Sequence, residues 1–173
     1  MKLIIKIISL FLFAVIGVAC SAQSNENISE LDNQFLTAVP INDMNKSLQV
    51  VLEDQGSYFE WGSEINLLIY NKSDNSIYFD NNMFVKLLVS SDENQWIDIE
   101  NEIQYMGPRL TSPQGTPLLD FEHIVVKPVL DKATISNENR ERLLRIVVIG
   151  EIMDGDTHTG QNVAGYVDVF LTP

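Results

Sequence analysis

Beyond residue 47 the apolar residues of this chain return at every second position, in short runs cut by Gly, Pro, Asn and Asp. Successive side chains of an extended strand point to opposite faces, so a period of two specifies strands with one buried face, whereas a helix needs apolar residues three and four apart. Leu48, Val50 and Leu52 alternate with Gln49, Val51 and Glu53; Ile65, Leu67 and Ile69 form a second such set, and Val85, Leu87 and Val89 a third. Residues 77–79 and 96–99 have the length and composition of short strands, and residues 121–127 read as β until Pro128 ends them. Residues 143–152 are apolar almost throughout, interrupted by Arg145 and Glu151, which predicts a central strand covered on both faces. Residues 163–171 resume the alternation. No stretch of ten or more residues carries a helical apolar stripe, and residues 136–142 predict no more than one helical turn, capped by Ser136.

Clusters of turn-forming residues at 71–75, 80–82 and 90–94 separate these runs, and residues 106–117 hold Gly107, Pro108, Pro113, Gly115 and Pro117, which predicts a long surface loop. Seven to eight short strands joined by such turns predict an all-β fold, an antiparallel β-sandwich, with a barrel as the competing architecture.

Ahead of the strands the chain has a different character. Residues 1–6 carry Lys2 and Lys6, and residues 7–19 contain no charge. That apolar run is too short to cross roughly 30 Å of hydrocarbon, which takes about 20 helical residues, and its layout is that of a secretory leader. It closes as Gly17-Val18-Ala19-Cys20, followed by Ser21. The close resembles the bacterial lipobox, although Gly17 stands where Leu is usual. The resemblance implies removal of residues 1–19 and diacylation of the Cys20 sulfur. Cys20 is the only cysteine in 173 residues, so its acylation leaves a domain without a disulfide. Ordinary secretion, with cleavage after Ala22, is the alternative. Residues 20–40 are then expected to form a polar tether and residues 41–173 the folded domain. With Lys2 and Lys6 gone the net charge moves from −13 to −15. Such a balance disfavours nucleic acid and anionic lipid headgroups as partners. Attachment to a membrane is expected through lipid on Cys20, on the extracytoplasmic face of the cell envelope.

A second resemblance lies at the start of the β region. Phe59-Glu60-Trp61-Gly62-Ser63-Glu64-Ile65-Asn66-Leu67, running into Tyr70-Asn71-Lys72-Ser73-Asp74, places an aromatic, a glycine and an isoleucine ahead of a strand that ends in Asn-x-Ser. This is similar to the immunoglobulin-like domains of bacterial envelope lipoproteins and to the BsuPI-type proteinase-inhibitor domain. The resemblance implies an immunoglobulin-like sandwich; no reactive inhibitory loop carries over.

Little in the chain points to catalysis. The two histidines, His123 and His158, belong to no zinc-hydrolase motif, and the chain has no G-x-S-x-G, no phosphate-binding glycine loop and no Cys-x-x-Cys. Asp154-Gly155-Asp156-Thr157-His158-Thr159-Gly160-Gln161-Asn162 offers oxygen donors at alternate positions, which a Ca²⁺ ion favours, so Asp154, Asp156 and Asn162 are candidate ligands. A hairpin loop built on Asp and Gly explains the same residues. Tyr58, Phe59, Trp61 and Trp96 could form a stacking platform, but the spacing of Phe59 and Trp61 places both on one side of a strand, as core residues. Asn27, Asn45 and Asn71 head Asn-x-Ser sequons that have no consequence in a bacterial lipoprotein. The expected function is that of a non-enzymatic interaction or structural module of the envelope, contacting another envelope protein through residues 106–117 and 153–162. A small-ligand or Ca²⁺-binding sandwich and an immunoglobulin-like proteinase inhibitor are the alternatives.

Overall fold

The two longest strands are also the last two in the chain, and most of the large sheet is assembled on them. The computed structural model describes residues 39–54, 56–80, 85–91, 95–115, 121–129 and 140–173. The leader, Cys20, the segment up to residue 38 and Ser136 lie outside the described residues. Within them the chain forms a 3₁₀ turn (Ile41–Asp43) and ten strands: β1 (Leu48–Leu52), β2 (Tyr58–Glu60), β3 (Ile65–Asn71), β4 (Ile77–Phe79), β5 (Val85–Ser90), β6 (Trp96–Ile99), β7 (Arg109–Thr111), β8 (Phe121–Val126), β9 (Arg142–Asp154) and β10 (Thr157–Thr172).

These strands make an all-β sandwich. One sheet has the order β1-β3-β8; the other runs β2-β10-β9-β4-β7, with β5 and β6 added on the same side of β9 as β4. Along its length β9 pairs with β10 on one edge, and on the other it pairs with β5 through residues 144–148 and with β4 through Glu151 and Ile152. All pairings are antiparallel except that of β2 with β10, which is parallel over three residues. The eight expected strands are all present. The two additional ones, β2 and β7, have three residues each, and β7 lies inside the stretch expected to be a loop. Neither carries enough local pattern to be visible without its partner strand.

The faces explain the sequence pattern. Leu144, Ile146 and Val148 of β9, with Val169 and Leu171 of β10, meet Leu48, Val50, Ile65, Leu67, Ile69, Ile124 and Val126 of the small sheet in the inner core. On the opposite face of the large sheet Leu88, Trp96, Val147 and Ala164 form a second apolar cluster, closed by Val39 and Met44 from the segment before β1. With both faces of β9 covered, alternation disappears from residues 143–152. Arg145 is the exception on that outer face. It is 3 % exposed, its guanidinium carbon lies 4.3 Å from the Tyr166 ring centre and 4.9 Å from that of Trp96, and Nε and Nη2 each donate to a different Asp168 oxygen at 2.8 Å. A fork of this kind satisfies a buried cation that would otherwise be costly to desolvate.

Three asparagines close the sheet edges, where unpaired backbone groups would otherwise be left. Asn71, 1 % exposed at the end of β3, donates to Asn75 O, Ser112 O and Thr111 O, and its oxygen accepts from the Ser73 amide and hydroxyl. It therefore ties the small sheet to β7 of the large one. Asn101 accepts from the Lys127 amide at 2.8 Å and donates to the Tyr105 hydroxyl, which in turn donates to Val125 O, so residues 101–105 cover the outer edge of β8. Arg109 of β7 adds an ion pair to Glu122 of β8. Asn45 serves the edge of β10: its amide donates to Ala164 O and its side-chain oxygen accepts from the Tyr166 amide, each at 2.9 Å. Between them sits Gly165, where a Cβ would stand 2.5 Å from Leu48 O.

Two substitutions test this arrangement. Gly165→Ala forces a methyl group against the β1 backbone and is expected to lower stability by about 1–3 kcal/mol, measured as a fall in the urea midpoint. Asn71→Ala strands several buried carbonyl and amide groups and is expected to cost about 2–3 kcal/mol, whereas Asn75→Ala, at an exposed turn position, stays within about 0.5 kcal/mol of the parent.

Candidate functional site

The polar group singled out in the sequence sits at the tip of the β9–β10 hairpin. Asp154 pairs with Thr157, so the connection is the two-residue turn Gly155-Asp156, much shorter than a loop over residues 154–162. Gly155 has φ 59° while Asp156 is not left-handed, as in a II′ turn, which accepts glycine in its first central position. Beyond the turn, His158 pairs with Met153 and Asn162 with Glu151, leaving Thr159, Gly160 and Gln161 bulged opposite Ile152.

This register separates the candidate calcium ligands. Asp154 and Asp156 share the exposed tip, but Asn162 lies beside Glu151, three rungs down a strand that rises about 3.3 Å per residue. Two of the three thus sit at the tip and the third on the far side of the bulge. Among the described residues no group of three or more His, Cys, Asp or Glu side chains is placed to hold a metal ion.

What the hairpin does bring together is Glu151, His158 and Tyr78. The His158 Nδ1 lies 2.9 Å from one Glu151 oxygen, and the Gly160 amide donates to the other at 2.6 Å. Thr159 Oγ1 donates to Ile152 O at 2.6 Å and accepts from the Gln161 amide, completing the satisfaction of the bulge. The Tyr78 ring meets the imidazole edge-on, with centres 4.7 Å apart. Both oxygens of Glu151 are thus engaged in fixing the bulge. Sequence reasoning passed over Glu151, although a lone acid in an otherwise apolar strand was a usable signal.

The remaining candidates are dispersed. Phe59 and Trp61 pack against the inner core and Trp96 is held under Arg145, as the core reading of the aromatics requires. Tyr58 is exposed and stacks on Phe170 at 5.1 Å, so the four aromatics make no common platform. His123 lies on β8 with its Nε2 2.9 Å from a carboxylate oxygen of Glu53, just past the end of β1, both groups being exposed. In residues 106–115 the side chains of Met106 and Leu110 are the most exposed large apolar groups beside Tyr58, at 90 % and 59 %. Cys20 lies outside the described residues.

No family model matches the chain, and no curated protein does. Among solved structures the chain is similar to Spo0M, the sporulation control protein from Bacillus subtilis, at 11% identity with a TM-score of 0.40; the alignment covers 73% of this chain and 49% of that one. The chain therefore spans about half the length of that protein.

The hydrogen bond from His158, reinforced by the Gly160 amide, holds the Glu151 carboxyl below its ordinary value of 4.5, outweighing an opposing desolvation effect. A carboxyl lowered in the folded chain contributes its stabilisation above its ordinary value and loses it as pH falls through the lowered one. Acidification below pH 4.5 is therefore expected to release the bulge first. Protection of the Gly160 and Gln161 amides, relative to their intrinsic exchange rates at each pH, should fall there while the inner-core strands stay protected, and Glu151→Gln should show the lowered protection already at neutral pH. Unchanged protection of Gly160 in that variant would remove the carboxylate from the account.

Proposed function

We propose that this chain is an extracytoplasmic lipoprotein whose β-sandwich serves as a non-enzymatic interaction or structural module of the cell envelope. The observation that carries the reading is Cys20: the only thiol of the sequence follows directly on a basic start, an uncharged apolar run and the small residues Gly17, Val18 and Ala19. Two acyl chains on that sulfur hold a protein at a membrane, since each buried methylene contributes about 0.8 kcal/mol and one chain alone is marginal. Nineteen positions separate Cys20 from Val39, the first of the described residues, which packs against the sandwich, a reach of no more than about 65 Å. That span supports a domain standing clear of the bilayer surface.

The side chains that acid–base chemistry would require support an interaction role instead. His123 is tied to Glu53 beyond the end of β1, and His158 to Glu151, Arg109 to Glu122 and Arg145 to Asp168, each of these three links joining two strands. A partner protein would then meet the domain at its loops. The exposed Met106 and Leu110 flank the Arg109 ion pair at one margin of the sandwich and are the apolar groups best placed for such a contact. The resemblance of residues 59–74 to immunoglobulin-like domains of envelope lipoproteins supports the same reading.

Growth with labelled palmitate is expected to label the wild-type chain and leave Cys20→Ala unlabelled, with the variant moving from the membrane to the soluble fraction. Absence of label from the wild type, or unchanged fractionation of the variant, overturns the lipoprotein reading. Capture after crosslinking in cells should recover the same envelope protein from wild type and lose it in a Met106→Asp, Leu110→Asp double variant. Equal recovery from both moves the contact away from these residues.

A further inference from the structure

The segment that leads into β1 packs on the outer face of the large sheet. Val39 and Met44 are buried, and they are buried in the outer cluster, against Leu88, Trp96, Val147 and Ala164. Four residues later Leu48 is buried in the inner core, on the opposite side of the large sheet. The chain therefore passes around the edge of β10 between residues 44 and 48, and it turns there on Asn45, whose φ of 59° is the left-handed conformation that asparagine tolerates better than most residues. At this corner Asn45 occupies two backbone groups of β10, Ala164 O and Tyr166 N. The next strand, β2, covers only Phe170, Leu171 and Thr172 of the same edge.

Residues 39–45 thus form a strap with its own apolar cluster, its own pair of edge hydrogen bonds and a pivot, all separate from the inner core. Lifting it about residues 45–47 leaves Leu48 and the sandwich interior in place. The surface uncovered is an apolar sheet face beside the edge of β10, with Ala164 O left to accept, Tyr166 N left to donate and room for two apolar side chains. The ligand whose fit the structure displays is the strap itself, and a second copy of the chain carries the same one. We propose that two copies of this chain exchange residues 39–45, each strap seating against the outer face of the other's large sheet. Exchange makes no contact that the single copy lacks and alters only the connection at the pivot.

The test uses the full chain with Cys20→Ala as background, one population carrying a donor dye at Asn42→Cys in the strap and another an acceptor at Gln161→Cys on β10; both positions are exposed. Mixing the two is expected to produce energy transfer that grows with concentration. Met44→Asp, which puts a charge into the outer cluster, should abolish it. Two glycines inserted after Asn45, which lengthen the pivot and let each strap return to its own copy, should lower it by roughly tenfold without touching a packed residue. If Met44→Asp fails to fold, the insertion decides alone. No transfer between parent chains at millimolar concentration overturns the proposal, and so does transfer that survives the glycine insertion undiminished.

Discussion

The ladder between β9 and β10 is the interaction on which the rest of the structure depends. It pairs Arg142–Asp154 with Thr157–Leu171, interrupted once between His158 and Asn162, and every other strand of the large sheet except β6 and β7 is paired to one of the two. Because β9 has neighbours on both edges and apolar clusters on both faces, its backbone is withdrawn from water along most of its length. A strand in that position can carry a charge only where the charge is fully answered. Arg145 meets that condition through Asp168 and two aromatic rings, and Glu151 meets it near the exposed end through His158 and the Gly160 amide.

The smaller sheet depends on different physics. Its three strands have one face in the inner core and the other toward solvent, so their apolar residues alternate as the sequence shows. Its edges, however, are closed by side chains. Beside β8, Asn101 at the Lys127 amide and the Tyr105 hydroxyl at Val125 O take the place of a neighbouring strand, while Asn71, at the end of the central strand β3, reaches Thr111 O and Ser112 O at β7 of the large sheet. Burial raises the Tyr105 pKa above its ordinary value of 10.0, with the Asn101 hydrogen bond and the Arg109 charge working against that shift. The neutral phenol that donates to the β8 edge is therefore the form the fold maintains across the physiological range.

How much of this was legible follows from what each element depends on. The strands β1, β3, β5, β9 and β10 are specified by their own residues, since five or more alternating or apolar positions fix both conformation and buried face. Strands β2 and β7 are three residues long and exist because β10 and β4 lie beside them, a condition no local window contains. The asparagine clamps were invisible for the same reason: Asn71 acts on Thr111 and Ser112, about forty positions away, and in the sequence it is merely a turn residue. At the hairpin tip the alternating oxygen donors were read correctly as turn chemistry with Gly155, but the bulge that carries Asn162 away from Asp154 and Asp156 is set by the pairing of Glu151 across the ladder. The outer cluster was hinted at by the loss of alternation in residues 143–152; that Val39 and Met44 would cover it was not.

The position of the hairpin in the chain has a consequence for how the molecule is made. A polypeptide emerges from its amino end, and here the spine of the larger sheet follows the other eight strands. Until it arrives, β2 has no neighbour, β4 and β5 have only their short companions β7 and β6, and the inner residues of β1, β3 and β8 have only those of β4, β5 and β6 to face. Contacts of such high sequence separation must wait for loop closure over most of the chain, which slows folding relative to locally connected topologies. The large sheet is thus held open by its own connectivity until β10, Thr157–Thr172, takes its place between β2 and β9.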